Sequence, residues 1–279
     1  MLSNPTEIET AKRELVRTYE TPSYADPWEA VEDYERTIAY TAKHPNKGSQ
    51  ALATSLELPR SRIRPWVDDG SRPDCYRGLQ TALKNDWFVD DWTDEVAIAL
   101  NCLAAWVLSS GSIDDRWVPT FITAADREEI ETLRRIAHTA GVPLTTTRED
   151  EDRPIEWRPD RDASALGRVL YTWLGVRGDK SKHAVRFPDY VRYAPDHIAR
   201  DFARVYVQQR GTLREDRGKF VQLAATRSDR FRADLASTLA RAVSEPDAIR
   251  ASAWPIRIYE PALSELRQYP EWLEEFVLQ

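Results

Sequence analysis

The chain has 279 residues, 42% of them apolar, and a formal net charge of −7. That length suits one large domain or two to three small ones with real cores. No apolar run reaches membrane-spanning length, the N-terminus is polar, and Cys75 and Cys102 are too few for a disulfide framework, so an anchor, a signal peptide and a stapled scaffold are all argued against.

In chain order, residues 1–24 read as a helical arm carrying Leu15, Val16 and Tyr19. A helix begins near Pro27 and ends at His44, where Pro45-Asn46-Lys47-Gly48 breaks it. Ser49 is placed to cap a short helix over 50–56 with Leu52 and Ala53 facing inward, and Glu57-Leu58-Pro59 makes a tight turn. A second short helix over 60–67 carries Ile63 and Trp66 inward and stops at Asp68-Asp69-Gly70. Residues 25–73 therefore resemble a helix-turn-helix, whose second helix enters the DNA major groove with its N-terminal residues on base edges. Arg60, Ser61, Arg62 and Arg64 crowd that end, and Lys47 and Ser49 complete the expected DNA-contacting set. Arginine is the commonest bidentate reader of guanine. Pro65 removes a backbone donor and should bend or shorten this helix. A plain helical hairpin is the alternative. Residues 74–92, with Leu79, Leu83, Trp87 and Phe88, read as a linker whose aromatic cluster packs.

Two apolar helices then end alike, at Gly111 and at Gly211, each succeeded by Ser or Thr and a β-former. Glycine there is expected to supply a left-handed turn. The downstream elements repeat as well. After Gly111 come two strands, the second at 117–123, a helix opened by Asp126 and closed by Gly141, strands at 144–147 and 155–157, and a helix over 163–176. After Gly211 come a strand, a turn at Arg217-Gly218, a strand over 219–225, a helix opened by Asp229, strands at 248–251 and 256–259, and a helix over 261–277. The order αββαββα, twice, is an α+β layer with helices on one sheet face and the other face open to solvent or a ligand. Ordinary core helices are the bland alternative for the two glycine-ended segments.

Residues 93–279 resemble the single-chain, two-repeat form of the LAGLIDADG homing endonuclease family. The resemblance rests on the two glycine-ended helices, on Thr123 to Asp126 as the start of the next helix, on Gly178-Asp179-Lys180-Ser181-Lys182, and on Phe187-Pro188-Asp189-Tyr190 before the second repeat. It implies a pseudo-twofold domain, repeat 1 at 93–194 and repeat 2 at 195–279, whose sheets lie along DNA. It also implies an acid just before each glycine, holding divalent cations for phosphodiester cleavage. Here those positions are Ser110 and Arg210, and the nearby acids Asp114, Asp115, Glu215 and Asp216 lie past the glycines. The chain looks like a cleavage-dead DNA-binding descendant, as in bacterial regulators of the WhiA type, with no metal and no cofactor. The residues His44, His138, His183 and His197 show no metal-ligand spacing.

On that resemblance Arg214, Arg217, Lys219, Arg250 and Arg257, with Lys180 and Lys182, are the DNA contacts of the duplicated domain; singly, each reads equally as a solvated charge. The negative net charge runs against DNA binding. Acid, however, concentrates at 29–35, 86–95 and 149–152, and Arg far outnumbers Lys, as a salt-loving archaeal cytoplasm or its viruses favour. The resulting expectation is a non-enzymatic, sequence-specific binder of double-stranded DNA, cytoplasmic and nucleoid-associated. Internal symmetry would let it act as a monomer, and leaves room for a protein partner. The competing readings are a homing endonuclease, active or degenerate, and a protein-interaction module that binds no DNA.

Overall fold

A computed structural model of the chain describes residues 5–124, 126–148, 154–180, 185–215, 219–224 and 227–268. The chain divides into two units, Pro5–Lys84 and the part from Asn85 onward. Among the described residues no helix is long and apolar enough to cross a membrane.

The first unit is helical: α1 (Pro5–Arg17), α2 (Pro27–Lys43), α3 (Ser49–Leu56), α4 (Arg60–Val67) and α5 (Asp74–Lys84). Asp26 starts α2 by accepting the Trp28 N–H, and proline at the first turn costs no hydrogen bond there. The α3–α4 turn is closed by Leu58 N–H on the Ala53 carbonyl, with Glu57 left-handed at φ 57°. Tyr34, Leu52, Ala53, Ile63 and Trp66 form its core, and the Tyr34 and Trp66 rings meet edge to face at 5.5 Å. Pro65 does not shorten α4, which runs on to Val67. The sequence boundaries need correcting here. The arm at 1–24 and the linker at 74–92 are not separate pieces, because α1 and α5 pack on each other and on α2. The expected linker cluster is divided as well: Leu79 is buried in the helical unit, whereas Trp87 is buried in the second and donates to the Ala140 carbonyl.

The second unit is α+β. Its elements are α6 (Glu95–Ser109), β1 (Ser112–Ile113), β2 (Pro119–Thr123), α7 (Arg127–Thr139), β3 (Leu144–Arg148), β4 (Ile155–Pro159), α8 (Ala163–Leu174) and α9 (Asp189–Tyr193). They continue as α10 (Asp196–Arg210), β5 (Gly211–Arg214), β6 (Phe220–Leu223), α11 (Asp229–Arg241), β7 (Ile249–Arg250), β8 (Ile256–Tyr259) and α12 (Ala262–Leu266). The strands form two antiparallel four-stranded sheets, ordered β1-β2-β4-β3 and β5-β6-β8-β7. The closing segment expected to run helical to 277 is described only to residue 268.

At the centre α6 packs along α10. Every residue of α6 from Ala99 to Ser109 is buried, because the helix is apolar on all sides and touches α10 on one side and the first sheet on another. Such a helix buries several side chains worth about 1.5–3 kcal/mol each. The one strongly polar side chain inside α6, Asn101, has a partner for both its nitrogen and its oxygen. It donates to the Ile198 carbonyl and accepts from the Tyr190 hydroxyl, which ties α6 to α9 and α10.

The role expected of the two glycines is corrected. Neither Gly111 nor Gly211 has a positive φ, and Gly211 sits at φ −75°, ψ 132°. They are glycines for want of space. A Cβ on Gly111 would lie 2.3 Å from the Thr120 carbonyl, and one on Gly211 would lie 2.4 Å from the Val207 carbonyl and 2.6 Å from a Val221 methyl. In both places the helix end is pressed against the neighbouring strand.

Candidate nucleic-acid interface

Strand pairing fixes which side chains share a face. In the second sheet Thr212 pairs with Gln222, Gln222 with Arg257, and Arg257 with Arg250, so one row crosses all four strands. A second row on the same face joins Arg214, Phe220 and Tyr259. The opposite face carries Val221, Leu223, Ile256 and Ile258, all buried. The helix-free face thus presents Arg214, Arg250 and Arg257, all exposed, and none of them meets a carboxylate among the described residues. Phe220 and Tyr259 lie 5.3 Å apart between them, and the Arg250 guanidinium sits 4.9 Å over the Tyr259 ring. Lys219 is exposed just ahead of β6. Arg217 lies outside the described residues.

The first sheet presents different chemistry in the same place. Its matching face carries Ser112, Thr120, Thr145 and Arg158 in one row and Ile122, Glu156 and the backbone position of Arg148 in the next. Arg158 donates through Nε to the Thr120 hydroxyl at 3.1 Å, which fixes the plane of its guanidinium. Sequence reading missed this residue, although its parity with Glu156 along β4 would have marked it.

Between the C-terminal ends of α6 and α10 opens a groove of about 580 Å³, lined in part by Ser110, Ile122, Asp126, Glu129, Gln209 and Val221. The Ser110 hydroxyl bonds to Gln209 Oε1 at 2.9 Å, and Gln209 Nε2 donates to Glu129 Oε1 at 2.6 Å. Glu129 Oε2 accepts the Ala124 N–H. Burial pushes the Glu129 carboxyl up, against the effect of those two hydrogen bonds. These residues do not suit the divalent cation that the family resemblance implies. Of the groove's carboxylates, Glu129 is already held by two N–H donors and Asp126 accepts the Glu129 N–H, Gln209 links Ser110 to Glu129, and the two positions ahead of the glycines are a hydroxyl and a guanidinium. Asp114 is equally committed, accepting the Arg116 and Val118 N–H groups inside the β1–β2 turn. Glu215 is exposed, and Asp216 lies outside the described residues.

Lys180 is not the surface contact expected of it. Its half-buried ammonium lies against the end of α6 and donates to the Val107, Leu108 and Ser109 carbonyls. Those carbonyls have no intrahelical partner, and a cation there also suits the helix dipole. Burial first, then the Arg227 and Arg210 guanidiniums, pull Lys180 down to about 7. Lys182 lies outside the described residues.

In the helical unit the expected reader set is reduced. Ser49 does not cap α3, since Gly48 holds that position; its hydroxyl bonds to Asp68 and the residue is buried. Arg62 turns inward, donating to the Ser23 carbonyl, lying 3.7 Å from Asp33 and stacking 4.1 Å over Tyr24. Lys47 reaches the Tyr40 hydroxyl at 3.0 Å. Arg60, Ser61 and Arg64 remain exposed on α4, with Arg64 3.8 Å from Asp68. The error has a simple cause: alternate residues of a short helix cannot all face outward.

Comparison with known protein families finds no family model that matches the chain, and comparison with curated proteins finds no similar sequence.

Proposed function

We propose that the chain is a sequence-specific double-stranded-DNA-binding protein that holds its site without cutting it. The observation that carries this reading is the open face of the β5–β8 sheet, which Arg214, Arg250 and Arg257 share with no carboxylate partner among the described residues. A sheet face bearing arginines suits a phosphate backbone and guanine edges alike. Two further features agree with it: the α3–α4 pair with Arg60, Ser61 and Arg64 exposed as a helix-turn-helix reader, and the like-ordered β1–β4 sheet as a second half-site surface. On this reading the α6–α10 pairing makes a single chain pseudo-symmetric, so a monomer covers an extended, roughly symmetric site in the nucleoid. The role is transcription regulation or recognition of an origin or mobile-element site.

Selection of bound duplexes from a random library by the full chain in molar KCl, with footprinting of the winners, tests the proposal. One enriched, extended motif with a protected region is the expected result, and absence of any protected site refutes DNA binding. Incubating a supercoiled plasmid that carries the selected site with Mg²⁺ or Mn²⁺ should leave it intact. Nicking that disappears on Asp114→Asn or Glu215→Gln would restore the nuclease reading.

A further inference from the structure

In the helical unit the stretch His44-Pro45-Asn46-Lys47 turns back on α2. Proline and asparagine suit the two central positions of such a turn, and the Lys47 N–H closes it on the His44 carbonyl at 3.0 Å. The turn returns Lys47 to α2, where its ammonium donates to the Tyr40 hydroxyl at 3.0 Å. The same ammonium lies 3.4 Å from the hydroxyl of Ser55 on α3, a helix anchored by its buried Leu52 and Ala53. The His44 ring packs against the Tyr40 ring, with 4.3 Å between centroids. A phenol, an ammonium and a hydroxyl from three separate segments therefore meet at one spot.

An ammonium only donates, so each oxygen it touches gives it a lone pair and keeps its own proton for another acceptor. Among the described residues no acceptor takes the Tyr40 proton and no carboxylate meets Lys47. The ammonium has three N–H donors for the two oxygens it touches, so one is left over. Hydrogen bonds from Lys47 and then Ser55 pull the Tyr40 phenol below its ordinary value, which makes its O–H a stronger donor. Tyr40 and Lys47 are half-buried and Ser55 is exposed, so the spot is open to solvent. Donors remain over around a held positive charge, and an oxyanion is what completes such a set.

We infer that Tyr40, Lys47 and Ser55 form a contact for a single phosphate group, with Lys47 supplying the charge and the Tyr40 O–H a neutral hydrogen bond. The inference rests on the DNA-binding reading in that a backbone phosphodiester is the expected occupant. Such a contact holds the helical unit on a duplex without reading bases, since phosphates carry no sequence.

The test compares the full chain with Lys47→Gln, Tyr40→Phe and Lys43→Gln, the last removing an exposed charge of α2 outside the cluster. Each is titrated with the library-selected duplex and with a scrambled duplex by fluorescence anisotropy over a range of KCl, and thermal unfolding checks that each folds. Counterion release counts charges, so the two cluster variants should fail differently. Lys47→Gln should bind both duplexes about tenfold more weakly, with the slope of log K against log salt lower by about one. Tyr40→Phe should lose about threefold on both duplexes with the slope unchanged, because a phenol brings a donor and no charge. Should Tyr40→Phe unfold, Ser55→Ala, at an exposed position, repeats the test of a neutral donor with the same expected outcome. Unchanged affinity in Lys47→Gln, or a loss that Lys43→Gln matches, overturns the phosphate contact and leaves DNA binding standing. No loss in the neutral variant overturns the three-group site, and loss on the selected duplex alone does so too, because that is base reading. If the wild-type chain binds neither duplex, the DNA reading fails and ³¹P line broadening of inorganic phosphate decides the site. Broadening abolished by Lys47→Gln sustains a free-phosphate site, and no broadening overturns it.

Discussion

The two sheets of the second unit share one strand order, and their helix-packed faces are alike: Phe121 and Trp157 in the first match Val221, Leu223, Ile256 and Ile258 in the second as buried side chains. Their outer faces diverge. The β5–β8 sheet offers three arginines, without a carboxylate partner among the described residues, around an aromatic pair. The β1–β4 sheet offers hydroxyls, Ile122, Glu156 and Arg158, which is pinned to Thr120. The inner faces keep the apolar side chains that packing needs, whereas the outer faces differ in chemistry. Opposite the helices, one half therefore supplies charge and the other supplies directed hydrogen bonds.

The largest expected effects test the shared part. Gly111→Ala and Gly211→Ala each force a methyl against backbone or a packed valine, and each should destabilise the second unit by about 3 kcal/mol, the upper end of overpacking costs. Gly175→Ala is the control, since nothing lies within 4 Å and only its φ of 62° is strained, for about 1 kcal/mol. Urea unfolding measures all three. A strong effect at Gly111 with none at Gly211 would break the equivalence of the halves.

Next comes a point where the halves already differ. The buried polar position of α6 is Asn101, and one hundred residues on, α10 carries buried Asp201, 3.8 Å from Arg204. Asn101→Leu leaves the Ile198 carbonyl and Tyr190 hydroxyl without their partner and should cost about 1–3 kcal/mol in the same unfolding assay. A neutral outcome would mean that the α6–α10 pairing is held by apolar packing alone.

The groove between the helix ends adds a pH signature. Burial raises the Glu129 carboxyl above its ordinary 4.5, so the native state holds that proton more tightly than the unfolded chain. Its stabilisation is complete below 4.5 and is lost as pH rises through the raised native value. The wild-type chain should therefore lose stability relative to Glu129→Gln as pH climbs above 4.5, in thermal melts at a series of pH values. Parallel curves for the two proteins would show that Glu129 titrates as it does in the unfolded chain.

The order of elements was legible because helical and alternating periodicities change at clear punctuation: Asp126 caps α7 and Gly141 ends it at φ 78°, both as the sequence suggests. The sheet arginines were legible for a related reason, since strand parity alone puts Arg257 and Arg250 on the face opposite Ile256 and Ile249. What the sequence hid were long-range partners. Nothing local says that Lys180 reaches back to the Val107 carbonyl, that Arg62 folds onto Tyr24, or that Gln209 joins Ser110 to Glu129. Each looks from its neighbours like a free surface group. The two glycines show the converse: their position was obvious, but the reason for them, a strand pressed to the helix end, appears only in three dimensions.

The smallest effects probe the divergent faces on the DNA-binding reading. Removing a phosphate-contacting charge lowers the salt slope by about one and weakens all sequences alike, whereas removing a base reader leaves the slope nearer its starting value and relaxes one position of the site. Arg257→Ala should behave in the first way, since among the described residues no side-chain hydrogen bond fixes its guanidinium. Arg158→Ala should behave in the second, at about 1–3 kcal/mol on the selected duplex alone. Thr120→Val tests the reason for that difference, because it keeps the arginine and its charge but removes the hydroxyl that fixes the guanidinium plane. It should cost specificity without changing the salt slope. Were Arg158 and Arg257 variants to give the same slope change and the same sequence-independent loss, the two faces would differ in composition only, and the division of labour between them would fall.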